Sequence, residues 1–107
     1  MKYVVKDEQL QVLGNHIQNL IDSTLNMLRE ETEEMGLGEM DEIDEIKSIN
    51  DISIDRIVPY AGIVVYVDIH SDSNREEYGN VMAELNYHIQ KWIPNAKLFL
   101  NEINPDN

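Results

Sequence analysis

The chain reads as a single α+β domain over residues 1–107, a two-layer sandwich of element order β-α-β-β-α-β with two helices on one face of a small antiparallel sheet. Three observations predict it. Two stretches, within 7–36 and 73–93, repeat apolar residues at helical spacing. IVVYVDI (63–69) and AKLFLNEI (96–103) alternate as strands do, and the chain opens on the β-favouring MKYVVK. This is the ferredoxin-like order; without the opening strand, the same pattern falls back to an α+β domain with a three-stranded sheet.

MKYVVK is the first strand. Asp7 suits an N-cap, and Leu10, Leu13, Ile17, Leu20, Ile21, Leu25 and Leu28 then form a continuous stripe. The helix runs into glutamates and stops at Gly36, which can take the left-handed conformation while Leu37 folds back. Met40, Ile43, Ile46 and Ile49 are three apart, fitting a helical turn or an irregular edge, whereas Ile52 and Ile54 alternate; a strand is placed within 46–58. PYAG (59–62) is a turn. In the next strand Ile63, Val65, Val67 and Ile69 share one face, and Val64, Tyr66 and Asp68 the other. Ser73 and Glu76 match a capping box for a second helix whose stripe is Tyr78, Val81, Met82, Leu85, Ile89 and Trp92, ended by Pro94. The last strand turns Ala96, Leu98 and Leu100 inward.

The formal charge is −13, from 21 acids against eight Lys and Arg. Nine of those acids lie in EETEEMGLGEMDEIDE (30–45), leaving twelve against eight elsewhere. A surface of this sign repels phosphate, so no direct nucleic-acid or anionic membrane binding is expected. With no cysteine, disulfides and thiolate chemistry are excluded, and no run is apolar enough for a signal peptide or a membrane span. The expected setting is the cytoplasm.

The acidic stretch, Glu30, Glu31, Glu33, Glu34, Glu39, Asp41, Glu42, Asp44 and Glu45, has three readings. It is a solvated helix end and connector, a steering surface for a basic protein, or a mimic of nucleic acid that inhibits a DNA-binding protein. Sixteen helical residues span about 24 Å, where duplex DNA shows roughly fourteen charges. Nine carboxylates are compatible with that density, but the glycines interrupt the helix an ordered array needs.

Asp68, His70, Asp72, Asn74 and Glu76 fall at alternate positions and invite a metal-binding or metal-dependent enzyme reading. An EF-hand loop requires glycine at its sixth place and glutamate at its twelfth, where this chain has Ser73 and Gly79. His16 and His88 have no relay partner placed by sequence, and no phosphate loop or nucleophile motif is present. Trp92 and the methionines on the helical stripes read as core. The opening MKYVV followed by DEQL resembles the start of short uncharacterised proteins encoded by tailed bacteriophages. The resemblance implies a phage source and carries no functional residue.

The sheet face away from the helices should carry Val64, Tyr66 and Phe99, with Tyr3 or Val4, among Asp55, Asp68, Lys97 and Asn101. It lacks the basic surround of RNA-binding sheets. The expectation is a small, acidic, non-enzymatic protein-binding domain without a cofactor. Tyr66 and Phe99 anchor the partner, a basic protein or a second copy, and the nine carboxylates guide it.

Overall fold

The computed structural model describes residues 7–36, 38–59 and 61–105, and of Asp7 only the backbone. The opening strand, the Asp7 cap, Tyr3, Val4, Leu37, Tyr60 and the end of the tail lie outside the described residues. The elements are α1 (Asp7–Arg29), a π-turn (Glu30–Glu34), α2 (Met40–Ser48), β1 (Ile49–Pro59), β2 (Ile63–Ser71), α3 (Gly79–Trp92) and β3 (Ala96–Pro105).

Apolar periodicity builds both long helices. Ile17, Ile21, Leu25 and Leu28 of α1 are buried with Val81, Leu85 and Ile89 of α3, all in one cluster with Ile52, Val65, Val67, Ile69, Ala96 and Leu98 of the sheet. Past Arg29 the helical run widens: Met35 N–H donates to Glu30 O at 3.2 Å, five residues back, and buried Thr32 returns its hydroxyl to Leu28 O at 2.9 Å. Gly36 then takes φ +66°, the expected left-handed stop.

The sheet has the order β1-β2-β3. β1 and β2 form an antiparallel hairpin with Ile54 opposite Val67, but β2 and β3 are parallel, with Val67 opposite Leu100. Among the described residues the antiparallel ferredoxin-like expectation is therefore corrected to a mixed three-stranded sheet. A ferredoxin-like sandwich splits its βαβ units by inserting a strand; here α3 carries the chain straight back beside β2, an unsplit βαβ unit that makes the pair parallel. The hairpin turn needs glycine at 62: its φ is +135°, and a Cβ there would stand 2.6 Å from Asn95 O.

Residues 40–48 take the helical alternative, and the strand placed within 46–58 runs from Ile49 to Pro59. Two expectations shift. Trp92 is 72% exposed, because Ile89 and half-buried Ile93 close the core under the last turn. The capping box does not form: Ser73 Oγ accepts from Arg75 N–H at 3.2 Å, two residues on, in a turn, and α3 starts only at Gly79.

Candidate functional site

Two surfaces hold the residues singled out from the sequence: the acidic corner around α2, and the sheet face opposite the helices.

In the corner, Glu45 is the exception. It was expected to face a partner, yet it is 1% exposed. Its Oε1 accepts the N–H groups of Asn80 at 3.1 Å and Val81 at 3.3 Å, and Oε2 accepts the Asn80 side-chain amide. A carboxylate on α2 thus satisfies the orphan donors at the start of α3, where the helix dipole also favours negative charge. Asp41 joins it, accepting from Arg75 Nη2 at 2.8 Å and Asn80 Nδ2 at 3.0 Å. Arg75 Nη2 lies 3.9 Å from Glu45 Oε2, so one guanidinium serves both carboxylates. Below them the Tyr78 hydroxyl bridges Ser48 at 2.8 Å and Ser71 at 2.6 Å.

Glu30, Glu33, Glu34, Glu39 and Asp44 are exposed, while Glu31 and Glu42 are half-buried. The Glu42 carboxyl is held above its ordinary range, first by desolvation and then by the charges of Glu84, Glu45, Glu39 and Glu31. Glu84 on α3 therefore extends the acidic corner beyond the sequence stretch. Its other neighbour is His88 Nε2 at 3.5 Å, an i,i+4 pair.

On the open face, Tyr66 and Phe99 are register partners with ring centroids 6.0 Å apart and planes tilted by 31°. Both rings carry a cation: the Arg56 guanidinium is 4.2 Å from the Tyr66 centroid and Lys97 Nζ is 5.3 Å from that of Phe99. This corrects the expectation that the aromatics lack basic neighbours. Arg56 was missed because a bulge at Asp55 shifts the phase of β1: Ile54 opposes Val67, but Arg56, not Asp55, opposes Tyr66. A second bulge, at Asn101, does the same in β3 and turns Glu102 outward opposite Asp68. Phe99 is 42% exposed and Val58, in the next row, 37%.

The sheet edges, by contrast, are guarded by helix amides. Gln18 donates to Ile52 O at 2.8 Å and accepts from Ile54 N–H at 3.0 Å along β1, and Arg29 reaches Ile49 O at 2.9 Å. Along β3, Asn86 accepts from Leu98 N–H at 2.8 Å and donates to Leu98 O at 3.1 Å, and Gln90 donates to Ala96 O at 3.0 Å. These side chains take backbone groups of Ile49, Ile52, Ile54, Ala96 and Leu98 that strand addition would use.

The residues of the metal reading diverge. Asp68 accepts from Asn101 at 2.9 Å and His70 contacts Ser53 at 3.4 Å on the open face, while Asp72, Asn74 and Glu76 lie in the loop before α3. Among the described residues no group of three or more His, Cys, Asp or Glu side chains is placed to hold a metal ion. Likewise, no described helix is long and apolar enough to cross a membrane. No family model, curated protein or solved structure matches the chain.

Proposed function

We propose that this is a small, acidic, non-enzymatic protein-binding domain that docks its partner on the open sheet face, with the corner around α2 steering the approach. The observation that carries the reading is the Tyr66–Phe99 pair, flanked by Arg56 and Lys97 on a half-exposed face of a rigid sheet. Aromatic and arginine side chains on a rigid element are the residues that most often anchor interfaces. With the edge positions facing Gln18, Asn86 and Gln90 already taken, the face is the favoured place to dock. Among the described residues the exposed carboxylates surround no aromatic pair of this kind, which suits them to guiding encounter rather than holding the complex.

The test is capture from the native lysate by immobilised protein at moderate salt, beside the Tyr66→Ala/Phe99→Ser double variant. The wild type retains a protein that the double variant releases, while the far-UV spectra coincide. Equal retention by both proteins overturns the reading.

A further inference from the structure

We propose that the partner whose chemistry fits the open face is a second copy of this chain, bound across a two-fold axis running perpendicular to the strands. The proposal rests on the open face being a protein-binding surface, and it adds the occupant and its orientation.

The register places the outward residues in rows: Val58–Val64–Lys97, then Arg56–Tyr66–Phe99, then beyond the Ile54–Val67–Leu100 row Ser53–Asp68–Glu102, and last Asp51–His70–Asn104. The face is polarised along the strands. One half holds Arg56 and Lys97, two aromatic rings and two valines, with Arg56 also paired to Asp55 at 2.7 Å. The other holds Asp51, Asp68 and Glu102 among polar side chains. The inward-facing Ile54–Val67–Leu100 row divides the halves evenly, with two outward rows on each side.

A two-fold axis along that middle row exchanges the ends and keeps each strand over its own counterpart. Each row that holds a cation then meets a row that holds an acid. Arg56 lies over Ser53 of the second copy, flanked there by Asp51 and Asp68. Phe99 and Tyr66 lie over Glu102 and Asp68, placing the Tyr66 hydroxyl against a carboxylate, and Lys97 lies over Asn104 beside Glu102. An axis parallel to the strands would instead set Asp68 on Asp68 and gather the acidic rows of both copies at one end, which is costly at an interface.

Long-range repulsion favours the same orientation. Each copy carries a formal charge of −13, and the acidic α2 ends at the Asp51 end of β1. Exchanging ends puts the two acidic corners at opposite extremes of the dimer, beyond the screening length of about 8 Å at physiological salt. Three strands of about nine residues present a flat area on the order of 400 Å². That is about half the 800 Å² per partner of a standard interface, so the dimer is reversible and concentration-dependent.

Sedimentation velocity from about 10 to 500 μM covers the range for an interface of this size. The wild type shifts from monomer to dimer mass across it. Lys97→Glu weakens the dimer about tenfold or more, because the symmetric interface contains the altered contact twice. Adding Glu102→Lys to that variant restores dimerisation. These positions are five residues apart along one strand, so the repair can act only between copies. Thermal melts of both variants match the wild type, since Lys97 and Glu102 are exposed. A monomer throughout the range, or a double swap no better than Lys97→Glu, overturns the proposal. A monomer that still captures another protein through Tyr66 and Phe99 overturns the self-association and leaves the protein-binding reading standing. Loss of both overturns both.

Discussion

Glu45, buried on α2, accepts both the backbone and the side-chain N–H of Asn80, 35 residues further along the chain, at the first turn of α3. This relationship ties the acidic connector to the core, and it separates one carboxylate sharply from its eight neighbours in the stretch.

Glu45→Ala should cost about 2 to 4 kcal/mol, combining loss of a helix cap with buried N–H groups left unpaired. Glu45→Gln keeps an acceptor and should cost about half as much. Glu33→Gln, on an exposed side chain, should stay within about 0.5 kcal/mol. Urea denaturation of the three variants checks the order. Equal effects would mean that Glu45 is only another surface charge.

Asn86→Ala removes both bonds to Leu98 on the outer edge of β3. The expected cost is about 1 to 2 kcal/mol. Unlike the loss of Glu45, it should also speed aggregation, because it frees edge groups able to pair with another strand. Turbidity against time at matched fractions of folded protein separates the two effects. Gln18→Ala should do the same at β1.

Gly62→Ala should destabilise by at least about 2 kcal/mol, since the residue combines a left-handed φ with a close backbone neighbour. An added Cβ would meet Asn95 O, the carbonyl that accepts Ile63 N–H at 3.0 Å, so relief by moving Asn95 would break that bond. Thermal denaturation beside Gly79→Ala, whose Cβ meets nothing within 4 Å, gives the comparison.

The pH dependence of Glu42 has a definite sign. Its folded-state pKa is raised above the ordinary 4.5, so the folded state binds that proton more tightly than the unfolded chain. The resulting stabilisation is complete below the unfolded value and is lost as pH rises through the folded one. Glu42→Gln should therefore raise Tm at pH 7, by no more than about 3 °C for a half-buried side chain. The advantage should vanish by about pH 4, near the ordinary glutamate value. Calorimetry at the two pH values tests this, and an advantage that grows on acidification would contradict it.

Much of the architecture was legible along the chain. The stripe from Ile17 to Leu28, the alternation of Ile63 to Ile69 and the stop at Gly36 are local patterns, set by residues within a few positions of one another. Tyr66 and Phe99 could be assigned to one face for the same reason, because side-chain alternation needs no knowledge of the partner strand.

Tertiary structure decided what depends on distant residues. Parallel pairing of β2 with β3 follows from where α3 returns the chain, which no local period encodes. Single-residue bulges at Asp55 and Asn101 reverse the alternation after them, and so move Arg56 and Glu102 to the open face. Glu45 is the sharpest case. In sequence it is one carboxylate among nine; in space the unpaired N–H groups of a helix 35 residues away give its charge a partner, and only that compensation makes its burial affordable.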